Sequence, residues 1–203
     1  NRMHERIDRF VAERSRIVAA LAHDLRTPIT ALRLRLEFLG DDDNTRAMRA
    51  TLDDLAEMSE ATLTFMRAET TAETTRRVDL AALIDALCED YRAADRAVSF
   101  SPEARVIVAC RPTAIRRALR NVIDNALAYG RQADIALATD TTMATIIVAD
   151  RGPGIPAADR EGVFDAFVRL EGSRSRQTGG AGLGLAIARS VMRGHGGDIT
   201  LHE

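Results

Sequence analysis

His23-Asp24-Leu25-Arg26-Thr27-Pro28 sits inside a stretch of helical apolar period, and how it is read decides the architecture of the first third of the chain. Turning about 100° per residue from Leu25, the residues Val18, Leu21, Ile29, Leu32, Leu36 and Leu39 fall within about 40° of it, whereas His23 lies about 160° away. The imidazole is therefore expected on the bare face of a helix. Thr27, four residues on, shares that face, and the neighbouring Asp24 is placed to orient a ring nitrogen. Pro28 lacks an N–H and crowds the carbonyl of Asp24, which predicts a local bend just past the histidine. Taken alone, this describes a solvated histidine beside a proline; its chemical meaning depends on residues far downstream in the chain.

Working outward, the apolar period predicts one helix over residues 2–39, a turn and N-cap cluster at 40–44, and a second helix over 45–68. The second helix turns Met48, Leu52, Leu55, Ser59, Thr62, Leu63 and Met66 inward. The pair is expected to form an antiparallel hairpin. At about 1.5 Å per residue the first helix approaches 60 Å, and two helices that long cannot bury both stripes by themselves. A dimeric four-helix bundle is the expected solution; a hairpin docked on its own second domain is the competing arrangement.

Residues 69–77 lack an apolar face and read as a linker, dividing the chain into a hairpin at 1–69, a linker at 70–77 and a second domain at 78–203. Beyond the linker, helical pattern covers 80–94 and short strand-like runs cover 97–100 and 105–109. Pro112 opens a helix running to Tyr129, and strands are expected at 133–138 and 145–149 about a turn at 139–142. A Gly/Pro loop, a phenylalanine-containing segment, a polar glycine-rich stretch, a helix over 183–193 and a strand from Asp198 complete the order. The expected fold class is α+β: the hairpin, then an α/β sandwich with one sheet covered by helices on one face.

Composition narrows the functions. The 203 residues are 46% hydrophobic with a formal charge of −2 and few aromatics, which gives neither the basic face nor the stacking platform that nucleic-acid binding needs. No apolar run approaches the roughly 18 residues of a membrane span. Cys88 and Cys110 are isolated, and His4, His195 and His202 lack metal-ligand spacing, so these read as structural or surface residues. All 28 basic residues are arginine. A P-loop and a protein-kinase phosphate clamp both require lysine, so any phosphate site must use arginine, backbone N–H groups or a metal.

Three downstream patterns supply such a site. Asn121 and Asn125 stand four apart on the helix from Pro112, presenting two amides on one face; amide oxygens are hard donors suited to Mg²⁺. Asp150 ends a strand and leads into Arg151-Gly152-Pro153-Gly154-Ile155, where glycines admit a ligand close to the backbone and the carboxylate can accept from an exocyclic amine such as adenine N6. Gly179-Gly180-Ala181-Gly182-Leu183-Gly184-Leu185 stands directly before a helix, whose first N–H groups and dipole favour phosphate. Between the glycine loops, Phe164 and Phe167 are expected to anchor an arginine-rich stretch at 169–176 with the composition of a movable lid.

Together the strings HDLRTP, NVIDNALAYG, DRGPGI, VFDAFVRL and GGAGLGL resemble, in order and over nearly the whole chain, the boxes of the sensor histidine kinases of two-component signalling. The resemblance implies a dimerisation and phosphotransfer hairpin followed by a Bergerat-type ATP-binding domain. It implies that ATP phosphorylates His23, that Asp24 activates it, and that Thr27 orients water when the response regulator is dephosphorylated. Asn121 and Asn125 match the Mg²⁺ and phosphate site, and Asp150 the adenine-reading carboxylate. The implied nucleotide set further includes Tyr129, Gly152, Gly154, Ile155, Arg169, Gly180, Gly182, Leu183, Gly184 and Leu185. The implied partners are a second copy of the chain and a response regulator receiver domain. A membrane enters only through segments outside this chain, which would be the cytoplasmic portion of a protein anchored in the bacterial inner membrane.

The sequence departs from the family in two places. Ala128 stands where a basic residue is common, which leaves Arg169 or a lid arginine as the replacement phosphate contact. The family's sheet commonly gains a further strand after the equivalent of Leu201, and the stop at Glu203 is expected to reflect truncation of the domain at that strand, with a weakened sheet edge. Two other readings fit subsets of the residues. A Bergerat-type ATPase clamp needs Asn125, Asp150 and the glycine loops but not HDLRTP, and a non-catalytic dimeric docking module needs only the hairpin and nucleotide binding.

Overall fold

The computed structural model describes residues 20, 24–25, 27–40, 42–70, 73–102, 104–168 and 182–202; at 54, 57, 58 and 60–70 it describes the backbone only. The chain divides into two compact units, one of residues 1–72 with 179–183 and the other of residues 73–178 with 184–203.

The first unit is helical. Residues 27–37 form α1, and α2 spans Asp43–Thr70. The cap cluster between them works through Asp42, whose Oδ1 accepts the Thr45 N–H at 2.6 Å and satisfies one of the amides a helix start leaves open. That bond and one from the Thr45 hydroxyl hold the Asp42 carboxyl below its ordinary value. Arg49 on α2 donates to the Leu36 carbonyl at 3.1 Å, and Arg33 pairs with Asp53 at 3.0 Å. Ile29, Leu36, Thr45, Leu52 and Ser59 are buried, while Leu25, Leu32, Leu39, Met48 and Leu55, all inward on the helical wheel, are exposed. One antiparallel pair thus covers only part of each stripe.

The second unit begins with β1 (Arg76–Asp79), α3 (Leu80–Ala93), β2 (Ala97–Phe100), β3 (Ile107–Cys110) and α4 (Pro112–Gly130). It continues with β4 (Gln132–Thr139), β5 (Ala144–Ala149), a 3-10 turn (Gly162–Phe164) and α5 (Gly184–Arg193). β2 runs parallel to β4, and β4 antiparallel to β5. Asp140 shapes the β4–β5 turn by accepting the N–H groups of Thr142 and Met143. Alternation along β4 buries Ala133 and Ile135 and exposes Asp134 and Ala136. Against the buried face lie Ile84, Leu87 and Cys88 of α3 and Ile115, Leu119 and Ile123 of α4, while Ile187 and Ala188 of α5 are buried beside α4. Each fully buried Leu or Ile contributes about 1.5–3 kcal/mol, so this layer fixes α4 firmly.

The α+β class is as expected, with three corrections. The described residues form two sheets, β1–β3 and β2–β4–β5, rather than one. The last two positions of the expected linker, Arg76 and Arg77, belong to β1, an exposed strand held by backbone pairing to β3. The strand expected from Asp198 is absent from the described residues; the Asp198 carboxylate is held instead by Arg189, Arg193 and its neighbour's N–H at Ile199. No described helix is long and apolar enough to cross a membrane.

Candidate functional site

The site is organised by α4. Pro112 occupies its first position, and Arg111 before it provides no side-chain cap. Asn121, Asn125 and Tyr129 follow one another at one-turn spacing, all half-buried. The helix ends at Gly130, after which Arg131 takes a left-handed φ of 62° and its N–H returns to the Leu127 carbonyl at 3.1 Å. Beside Asn125, the Asp124 carboxylate accepts the Tyr91 hydroxyl at 2.7 Å, tying α3 to α4; burial and this bond push the Tyr91 hydroxyl well above its ordinary pKa.

At the C-terminal end of α4 the backbone of Gly130 meets the end of β5. A Cβ there would lie 2.6 Å from the Asp150 Cβ and 2.7 Å from the Arg151 N. One at Gly152 would lie 2.7 Å from Asp150 Oδ1 and 3.2 Å from the Tyr129 carbonyl. Asp150 Oδ1 accepts the Gly152 N–H at 2.6 Å, which fixes the carboxylate while leaving the residue exposed. Gly154 takes φ 71°. The loop thus brings Tyr129, Gly130, Asp150 and Gly152 together, with half-buried Ile155 following.

Near the middle of α4, Asn121 faces the start of α5: a Cβ on Gly184 would lie 3.7–3.8 Å from its side chain. The Asn121 Nδ2 is buried without a hydrogen-bond partner. An orphaned buried donor beside a helix N-terminus suits an anion's oxygens. A half-turn of the amide would put the oxygen there instead, as a ligand for a hard cation. The residues present therefore fit a metal-bound phosphate group. Gly182 has φ 69°, Leu183 is buried and Leu185 half-buried.

Asp24 and Thr27 are exposed in the first unit. His23, Arg169 and Gly180 lie outside the described residues, as do Val18, Leu21 and the stretch at 169–176. Phe164 is buried as expected, with Arg189 stacked 4.4 Å over its ring, but Phe167 is exposed with φ 68° and anchors nothing among the described residues.

Two contributors, Arg189 and Glu73, escape sequence reading. Arg189 reaches Glu161 and Asp198, both at 2.8 Å, and ties the 3-10 turn to α5. Its hydrogen bonds hold the Glu161 and Asp198 carboxyls below their ordinary values, helped at Asp198 by the bond from Arg193. His195 has the structural role allowed for it: Nδ1 bonds the Val191 carbonyl at 2.7 Å and Nε2 accepts the Arg111 N–H at 3.1 Å. Glu73 caps α4 from outside the helix. Gly130, by contrast, did carry a sequence signal, which read as a helix stop.

A helix bearing spaced asparagines, a carboxylate set against its far end and a glycine-led helix opposite its middle define an ATP-binding fold. The family model described as "Histidine kinase-, DNA gyrase B-, and HSP90-like ATPase" matches residues 110–203, and that for the "His Kinase A (phospho-acceptor) domain" matches residues 13–71. The chain is 38% identical to a sensor histidine kinase of Pseudomonas aeruginosa, GtrS, over 100% of its own length and 42% of that protein's. It is 33% identical to the sensor protein RstB of Escherichia coli, over 98% of its own length and 48% of RstB. The crystal structure of the ATP-binding domain of PrrB from Mycobacterium tuberculosis matches with a TM-score of 0.53 and 26% identity, covering 64% of this chain and 87% of that one. The chain belongs to the sensor histidine kinases of two-component signalling, and it spans under half the length of these two sensor relatives.

Proposed function

We propose that the chain transfers the γ-phosphoryl group of Mg·ATP to His23 and from there to an aspartate on the receiver domain of a response regulator. The carrying observation is the unpaired, buried amide of Asn121 beside the first residue of α5. When bound, ATP supplies the phosphoryl group and Mg²⁺ neutralises charge on its oxygens. Asn121 and Asn125 hold the metal and phosphates, assisted by the first N–H groups of α5. Asp150, fixed by Gly152, accepts from the adenine amine. Tyr129, Gly154, Ile155, Arg169, Gly180, Gly182, Leu183 and Leu185 complete the enclosure.

His23 attacks through its unprotonated ring nitrogen, so that an N–P bond forms as the bond to the ADP oxygen breaks. Only the neutral imidazole keeps the free lone pair that this attack requires. Asp24, accepting from the other ring nitrogen, selects the tautomer and offsets the charge that develops. Thr27, exposed one turn along, orients water for the regulator phosphatase reaction. The exposed inward stripe of α1 and α2 supports a homodimer through the hairpin. Dependence on ATP assigns the chain to the cytoplasm, with the parent protein anchored in the bacterial inner membrane by segments outside this chain.

Incubation with γ-labelled Mg·ATP tests the reading. Acid-labile label is expected on the wild type and is abolished by His23→Gln and by Asn125→Ala. Label persisting in His23→Gln removes that residue as acceptor, and phosphate released without labelled protein favours an ATPase clamp.

A further inference from the structure

The start of α4 is held by residues remote from it. Its first amides have no local cap, yet the Thr113 N–H donates to Glu73 Oε1 at 2.8 Å and the Ala114 N–H to Glu73 Oε2 at 3.0 Å. These are the second and third helical positions, which a cap residue at 111 would ordinarily serve. A carboxylate forty positions upstream serves them instead. Arg111 adds its charge nearby and binds on its other side to the end of α5, through its N–H to His195 Nε2 and its Nη2 to the Gly194 carbonyl at 3.0 Å.

The chain position of Glu73 gives this cap a second consequence. α2 ends at Thr70, so two residues separate the hairpin from a side chain bonded to the asparagine helix. Without that bond, the first strand-paired residue is Arg76, and five residues intervene. Each residue adds up to about 3.5 Å of reach.

We propose that Glu73 is a positioning residue for phosphoryl transfer: its carboxylate latches the short connection from α2 onto α4 and so limits the freedom with which the nucleotide site and His23 find one another. The inference rests on the kinase reading above. Glu73 touches neither substrate nor metal; it acts through α4 and through the number of residues between its bond and the end of α2. Beyond the length that just spans two sites, effective concentration falls roughly as the −3/2 power of the connecting length, so going from two residues to five corresponds to about a fourfold drop.

The test uses the full chain and three variants: Glu73→Ala, Arg111→Asn, and the two combined. The shorter side chain introduced by Arg111→Asn would cap the same two amides locally without restoring the latch. In Glu73→Ala, hydrogen exchange at Thr113 and Ala114 should quicken, the Mg·ATP Kd should stay within about twofold, and the rate of His23 labelling should fall by about fourfold. The double variant should regain amide protection and thermal stability but keep the slow labelling. Unchanged exchange in Glu73→Ala overturns the cap. An undiminished rate in Glu73→Ala, or a double variant that labels as fast as Arg111→Asn alone, overturns the latch and leaves a helix cap only. Absence of label in the wild type is the separate failure of the kinase reading, and the positioning role falls with it.

Discussion

Gly130 and Asp150 touch so closely that a single methyl group on the glycine would lie 2.6 Å from the aspartate Cβ and 2.8 Å from its Oδ1. The end of α4 and the end of β5 are thereby held at backbone distance, and the Asp150 carboxylate, proposed above to read adenine, is set relative to the asparagines by packing.

Gly130→Ala therefore has nowhere to put its methyl without moving Arg151 N, 2.7 Å away. Overpacking of this kind costs about 1–3 kcal/mol, and urea unfolding should show a loss of that size. Because the displaced group is Asp150, ATP affinity should fall at least tenfold by titration calorimetry. Gly162→Ala, with nothing within 4 Å of the added carbon, is the control expected to leave both values near wild type. Equal behaviour of the two variants would show that the contact does not constrain the site.

Asp150→Asn separates positioning from recognition. The Asn oxygen can keep the Gly152 N–H bond, but the remaining amide nitrogen donates where the carboxylate accepted. Hydrogen bonds to charged groups contribute about 1.5–3 kcal/mol, so ATP affinity should drop roughly ten- to hundredfold. Guanine presents an acceptor oxygen at the corresponding position, so GTP should not lose affinity. Competition against a fluorescent nucleotide reads the ratio; parallel losses for both nucleotides would deny Asp150 its role in base selection.

Sequence reading located the regular elements where punctuation was strong. Pro112 and Gly130 bracket α4, β2 falls on its expected residues, and α3 ends one residue before its expected limit. It missed β1 because Arg76, Arg77, Val78 and Asp79 contain one apolar residue among four; the strand exists through backbone bonds to β3, which leave no trace in local pattern. It expected a strand at Asp198 because Ile199 and Leu201 alternate with polar residues, whereas paired arginines from α5 hold that carboxylate. Asn121 and Asn125 stood out as candidates by their one-turn spacing, and Asp150 by its place between a strand and a Gly/Pro loop. The Glu73 cap was not, because a glutamate in a polar run carries no sign of the helix forty residues on that needs it.

The arginine latch at α5 gives an acid-limb prediction. Arg189, only 13% exposed in its side chain, binds Asp198 and Glu161, and both carboxyls are held below their ordinary values chiefly by those bonds. A depressed folded-state pKa means the unfolded chain binds protons more readily. The stabilisation is therefore present above about pH 4, where unfolded carboxylates are ionised, and is lost as pH falls through the depressed range. Arg189→Met should lower Tm at pH 7 in low salt, and its difference from wild type should narrow steadily below pH 4. A difference that stays constant with pH would assign the effect to packing on Phe164, over which the guanidinium stacks at 4.4 Å.

The hairpin offers a test in which two neighbouring leucines should behave oppositely. Leu32 is 47% exposed and Leu34 53% exposed, so exposure alone does not distinguish them. Their directions do: Leu32 lies about 20° from Leu25 on the inward stripe, whereas Leu34 lies about 180° away. If the uncovered stripe of α1 and α2 is closed by a second copy, Leu32 becomes core in the bundle and Leu34 stays on its outside. Leu32→Glu would then bury two carboxylates per dimer against Leu25, Met48 and their symmetry equivalents, a cost that a bundle contact of about 1.5–3 kcal/mol per leucine cannot offset. Sedimentation velocity of the full chain at micromolar concentration should show a dimer for the wild type and for Leu34→Glu and a monomer for Leu32→Glu. A monomeric wild type would deny the second copy altogether; a monomer from Leu34→Glu with a dimer from Leu32→Glu would reverse the faces and place His23 on the buried side.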